Sequence, residues 1–80
     1  MKILVVEEDN KIAKFIKRGL EEQGYDVDVA QGGEEGVERS LHGSYGLISL
    51  GVMLTKTDGS SLLDEMRWKK IMTPVLVVSG

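Results

Sequence analysis

Four short apolar runs punctuate this chain, and the segments between them carry helical spacing. That alternation limits the folds open to it more than any other feature. Ile3 to Val6 (ILVV) is a continuous apolar run of the kind found in a strand covered on both faces. NKIAKFIKRGLEEQG, residues 10–24, puts Ile12, Phe15, Ile16 and Leu20 on one helical stripe. Asp9 or Asn10 can cap its start, and Gly24 suits a left-handed stop. YDVDVA, residues 25–30, alternates Tyr25, Val27 and Val29 with Asp26 and Asp28, the period of a half-exposed strand at an edge. GGEEGVERSLHG, residues 32–43, predicts a weaker helix held by Val37 and Leu41, with Glu34 and Glu35 in its favourable first turn. YGLISL, residues 45–50, predicts a third strand, and SSLLDEMRW, residues 60–68, a third helix through Leu62, Leu63 and Met66. After Pro74, VLVVS predicts a fourth strand of interior type.

The order β-α-β-α-β-α-β is that of a doubly wound α/β domain with a parallel sheet and right-handed crossovers. Strand order 2-1-3-4 fits, because the alternating second strand then falls at an edge. The first helix would cover one face of the sheet and the second and third the other. In such sheets ligands sit beyond the carboxyl ends of the strands, where the winding reverses. Here that point lies between strands one and three, so function is to be sought in the loops EEDN and GVMLTKTDG.

Bulk properties exclude several classes. Eighty residues make one small domain at most. A chain of this size hides only about 60–65% of its unfolded surface, which leaves a thin core. There is no cysteine, so disulfides, thiolate metal sites and thiol catalysis are ruled out, and the single histidine, His42, cannot form a zinc cluster. A net charge of −3 argues against direct nucleic-acid binding, which needs a basic face. Lys11, Lys14, Lys17 and Arg18 gather on the first helix, but Glu21 and Glu22 follow at once, the pattern of a solvated face. The apolar run near the start is too short for a signal peptide or a membrane span, so no membrane partner is expected and the cytoplasm is the expected location.

Strand one ends in Glu7, Glu8 and Asp9. Two carboxylates about 4 Å apart repel by roughly 1 kcal/mol in water and about 4 kcal/mol at an effective dielectric of 20. A hard cation such as Mg²⁺ would relieve that repulsion. Equally, the acids could simply favour the amino end of the following helix. Spacing alone leaves both readings open. The same acids would repel a nucleotide phosphate, and GGEEG (residues 32–36) is a turn rather than a phosphate-binding fingerprint.

At this point the chain resembles a known family along its whole length: the CheY-like receiver domains of two-component response regulators, of the subgroup that precedes a DNA-binding effector. MKILVVEEDNKIAKFIKRGLEEQGYDVDVAQGGEEGVE is similar to the family's opening, YGLISLGVMLTKTDGSSLLDEMR to its central block, and TPVLVVSG to its fourth strand. The resemblance implies that Glu7 and Glu8 fall on the pair of Mg²⁺-binding acids, the second of which is normally Asp. Gly51 falls on the phospho-accepting aspartate, and Met53 on the position whose backbone carbonyl completes the metal ligands. Thr55 replaces a usual proline, while Asp58 and Gly59 match the loop's ending. Ser79 falls on the hydroxyl residue that contacts the phosphoryl group, and Gly80 on the small residue after it.

Phosphoryl transfer to a carboxylate needs a nucleophile, a cation and donors for the transferred oxygens. Glycine at residue 51 supplies no nucleophile. The expected function is therefore that of a degenerate receiver, not an enzyme, which works through protein–protein contact and retains at most a weak Mg²⁺ site at Glu7, Glu8 and Met53. The alternatives are transfer to a substitute acid (Glu7, Glu8, Asp9 or Asp58) and a small-ligand module of flavodoxin type. The family also has a fourth helix, a fifth strand ending in lysine and a fifth helix, so residues 1–80 are expected to form a partial receiver domain. The first helix's face should then be bare beneath strands three and four, and the fourth strand should be an unpaired edge. Three readings of that surface stay open: the 80 residues are a piece of a longer protein, they bury the surface against a second copy by dimerisation or strand exchange through that strand and face, or the chain is only marginally folded alone. If it is stable, a second copy is the expected partner, together with a sensor histidine kinase or another receiver. Trp68 and Met72 are expected to pack over the loop before Pro74 or to act as a partner-binding knob.

Overall fold

The computed structural model of the chain describes residues 1–51 and 59–78. Along it run β1 (Lys2–Val6), α1 (Asn10–Glu22), β2 (Asp26–Ala30), α2 (Gly33–His42), β3 (Leu47–Gly51), α3 (Gly59–Trp68) and β4 (Val75–Val78). All neighbouring strands are parallel and the sheet order is β2-β1-β3-β4, as the alternation of patterns implied. The central strand β1 sets Ile3 opposite Val27 and Leu47, and Val6 opposite Ala30 and Leu50. No helix among the described residues is long and apolar enough to cross a membrane.

Alternation along β1 splits the core in two. Ile3 and Val5 meet Val27, Val29, Leu47 and the α1 residues Ile16 and Leu20 on one face. Leu4 and Val6 join Val37 of α2 and Leu62 and Met66 of α3 on the other, with Ala30, Ile48, Leu50 and Ile71. Gly36 brings α2 close to the sheet: a Cβ there would stand 2.9 Å from both methyl groups of the buried Val6. α1 starts where Asp9 caps it, its Oδ1 accepting from the N–H groups of Lys11 and Ile12 at 2.8 and 3.2 Å. It is followed by Gly24 in left-handed backbone, φ 94°.

Four sequence expectations are corrected. First, the apolar stripe of α1 is not buried as a unit. Ala13 is buried and Ile16 and Leu20 half-buried, whereas Ile12 and Phe15 are 39% and 79% exposed. The small Ala13 lets the helix approach the sheet along the i, i+3, i+7 row, which turns the neighbouring row outward. Second, β4 is not covered like an interior strand: Leu76 and Val77 are 55% and 45% exposed. Register puts Leu76 beside Ser49 on the α1 face and Val77 beside Leu50 on the opposite face. The bareness expected under strands three and four is confined to β4, since on that face Ser49 is buried and Leu47 half-buried. Third, Trp68 and Met72 do not pack over the loop before Pro74. They are 83% and 72% exposed, and the buried Ile71 fills the core there. The Arg67 guanidinium ties that loop down by donating to the carbonyls of Ile71 and Thr73 at 2.6 and 3.0 Å.

Fourth, Asp28 does not point into water. It stands opposite Leu4, on the α2 side of the sheet, and is half-buried. The Tyr45 hydroxyl donates to its Oδ2 at 2.7 Å, and Lys2 Nζ lies 3.4 Å from the same oxygen. The Tyr45 hydrogen bond holds the Asp28 carboxyl below its ordinary range; partial burial opposes this and Lys2 reinforces it. Tyr45 is pushed up, first by burial and then by donating to the carboxylate.

Two outcomes follow. Gly36→Val forces two methyl groups against Val6 and should lower stability by about 2 kcal/mol or more in urea unfolding. Tyr45→Phe should cost under about 1 kcal/mol at neutral pH. Because the folded Asp28 pKa is depressed, its contribution is present above the unfolded value and is lost as pH falls through the lower folded one. The gap between wild type and Tyr45→Phe should therefore close as pH drops below about 4, measured by unfolding across a pH series.

Candidate functional site

The carboxyl ends of β1 and β3 lie side by side, because Val6 is paired with Leu50. One residue further on, Glu7 and Gly51 are neighbours. Glu7 is still tethered to the sheet, its N–H donating to the carbonyl of Ala30 at 2.9 Å. The chain then turns directly into α1. The three acids expected to crowd this corner diverge instead. Asp9 spends Oδ1 on the helix start, Glu8 is exposed, and Glu7 is half-buried with Oε2 accepting the Asp9 N–H at 3.1 Å. For Asp9, then, the helix-start reading holds.

Gly51 is buried at the end of β3. Its φ is not in the left-handed region, so the backbone there would accept any residue. What a side chain would meet is Glu7: a Cβ at residue 51 would stand 2.6 Å from Glu7 Oε1 and 3.3 Å from its carboxyl carbon. The Glu7 carboxylate thus occupies the space of the absent side chain. The sequence alone offered Glu7 as a cation ligand, as an acid favouring the start of α1 or as a substitute acceptor, but not as the group that fills the place of a side chain at residue 51. The signal was present in the parallel pairing, which sets residue 7 against residue 51. Because the contact is made by the free end of a partly exposed side chain, Glu7 could swing aside for a larger residue at little cost.

The fit to a divalent cation is partial. Mg²⁺ asks for several oxygen ligands in near-octahedral array. Among the described residues no three acidic, histidine or cysteine side chains converge. One carboxylate, Glu7, stands over Gly51, and the exposed Glu8 follows it in the chain. Met53, Thr55, Asp58, Ser79 and Gly80, the other positions singled out from the sequence, lie outside the described residues. GGEEG, read from the sequence as a turn, is instead the start of α2: Gly32 precedes the helix and residues 33–36 form its first turn.

Comparison with known proteins matches the same outline. The model of the response regulator receiver domain matches residues 3–80. The transcriptional regulatory protein DltR of Streptococcus agalactiae is 39% identical over 80 residues, which is all of this chain and 36% of that protein. The receiver domain of the Francisella response regulator 1452 superposes with a TM-score of 0.87 at 41% identity, covering 98% of this chain and 64% of that one. TrrA of Thermotoga maritima, solved in complex with Mg²⁺ and BeF, gives a TM-score of 0.85 at 31% identity over 98% of this chain and 68% of that one. The chain thus spans about a third of the length of the curated relatives it matches. By its sheet order, by the placing of its acids at the strand ends and by these likenesses, the chain belongs to the response regulator receiver domain family.

Proposed function

We propose that this chain is a degenerate receiver of a two-component phosphorelay, one that does not accept phosphate at residue 51 and acts through protein–protein contact. One observation carries the reading. The residue beside Glu7 at the end of β3 is a glycine, and the Glu7 carboxylate fills the place a nucleophilic side chain would take. Without a nucleophile there, the scaffold can still present surfaces but has no group to carry a phosphoryl signal covalently. It acts as a binding module in the cytoplasm and not as an enzyme. Its partners are a second copy, through β4 and the open sheet face, and a sensor histidine kinase or another receiver. With a net charge of −3 it makes no direct contact with nucleic acid.

The Mg²⁺ held by the structural relative TrrA suggests a residual cation site here, formed by Glu7, Glu8 and the Met53 carbonyl. Lacking a ligand from residue 51, that site binds weakly. In a calorimetric titration the wild-type chain should bind Mg²⁺ poorly. Gly51→Asp, which adds a carboxylate next to Glu7, should tighten binding by at least about tenfold. Tight binding by the wild type, or no change in the variant, would count against this site.

The central test is incubation with acetyl phosphate and Mg²⁺ followed by intact mass, which should show no phosphoryl adduct on the wild type. One feature favours a second reading, transfer to a substitute acid: Glu7 stands where the acceptor would be. A phosphoryl gain that disappears in Glu7→Gln would establish that reading and overturn the first.

A further inference from the structure

Apolar side chains left in water gather at one end of the molecule, opposite the rim of acids. Nine large ones are exposed among the described residues, and five of them, Met1, Tyr25, Leu41, Trp68 and Met72, lie where strands begin and helices finish. Met1 precedes β1 and Tyr25 precedes β2, Leu41 and Trp68 stand in the last turns of α2 and α3, and Met72 comes shortly before β4. All neighbouring strands are parallel, so these positions share one end. A gap in the core does not explain Trp68. It follows the buried Met66 by two residues, about 200° round α3, and so looks away from the sheet.

Two charges frame this apolar end. Asp26 opens β2 at one side of the sheet, and Lys70 comes before β4 at the other. Both are exposed, and among the described residues neither joins an ion pair. Lys70 also holds left-handed backbone, φ 64°, in the turn that ends α3. Its N–H donates to the Arg67 carbonyl, and that of Ile71 to the Met66 carbonyl, both at 2.9 Å. Glycine suits that position, and a lysine there is strained. The strained position thus carries a cation between the exposed Trp68 and Met72.

The geometry points to a second copy as the occupant of this end, joined tail to tail about a two-fold axis normal to the sheet between β1 and β3. Because the sheet order is β2-β1-β3-β4, that axis sets the start of β2 against the start of the partner's β4. Asp26 then meets the partner's Lys70, and Lys70 the partner's Asp26. Tyr25 meets the partner's Met72, a favourable aromatic–thioether pair. On the face that carries α2 and α3, the last turn of α2 meets that of the partner's α3, so Leu41 covers part of the partner's Trp68. Each contact occurs twice, as a two-fold interface requires.

The charges select this arrangement. A two-fold axis running across the strands in the plane of the sheet would set β2 against β2 and β4 against β4. Asp26 would then face Asp26 and Lys70 face Lys70, and like charges so placed disfavour it. Exposed tryptophans brought into an interface are common anchors of its affinity. The contact uses no residue of β4 and lies at the far end from Glu7 and Gly51.

The chain has one tryptophan and no cysteine, which makes the contact testable on the full 80 residues. Sedimentation should show a concentration-dependent dimer, and Trp68 emission should move to shorter wavelength as it forms. Trp68→Ala should raise the dissociation constant at least about tenfold with the circular dichroism unchanged. Asp26→Lys and Lys70→Asp should each weaken the dimer, and the two together in one chain should restore it. A merely structural role for either residue would give no such rescue. With a short thiol–thiol cross-linker, Asp26→Cys mixed with Lys70→Cys should join faster than either variant alone. A monomer at all concentrations, a failed rescue, or equal cross-linking of each variant with itself would overturn the proposal. So would a dimer that Trp68→Ala and both charge reversals leave intact, and that result would leave the contact through β4 standing. None of these readouts involves phosphate, so their failure does not touch the reading of residue 51.

Discussion

The parallel pairing of β1 with β3 governs the rest of this molecule. It stacks Leu4 against Ile48 and Val6 against Leu50, all but fully buried, and so anchors the core on one face. The same register decides which residues leave the sheet together. After Val6 and Leu50 come Glu7 and Gly51, and the hydrogen bond from Glu7 N–H to the Ala30 carbonyl keeps residue 7 in line with the strand for one residue more. Asp9 then starts α1. The rim chemistry is thus a consequence of the hydrophobic register: a slip of one residue would exchange the buried and exposed faces of β1 and move Glu7 away from residue 51 together.

Because that register is set by apolar residues, the scaffold is indifferent to what stands at residue 51. The backbone of Gly51 is ordinary strand, so a glycine is not required there by conformation, and its small size relieves no contact with the core. Its neighbour is the movable end of Glu7. The consequence of glycine at this point is chemical: a carboxylate fewer at the strand ends. Each like charge removed from such a corner eases repulsion on the order of 1 kcal/mol or more, depending on how much water reaches it. Glu7 settles over Gly51 and accepts the Asp9 N–H.

The sequence made the architecture legible because each strand signal was short, strong and separated from the next by a helical pattern. Strand order followed from one further cue, the alternation in residues 25–30, and the structure places that segment at the edge. Side-chain placement was harder to read. Asp28 looked solvent-facing by periodicity, yet an edge strand covered by α2 on one side has no free face there, and Tyr45 offered a hydroxyl. Phe15 and Ile12 looked buried because they share a stripe with Ile16 and Leu20, but a single helix over the sheet covers only the row that contains Ala13. At the site, the residue types at 7 and 51 could be placed from the sequence. The filling of one by the other could not, since it depends on a side-chain rotamer rather than on a pattern. The positions at 53, 58, 79 and 80 rest on the resemblance alone.

The exposed apolar residues finally tie stability to association. Phe15, Trp68, Met72, Leu76 and Val77 all leave much of their surface in water, in a chain whose core is already thin for its size. Burying apolar surface is worth roughly 25 cal/mol per Å², so each of these side chains is a reserve of stabilisation that the isolated fold does not use. Any partner that covers them binds the folded chain and not the unfolded one, and therefore shifts the folding equilibrium by mass action as its concentration rises.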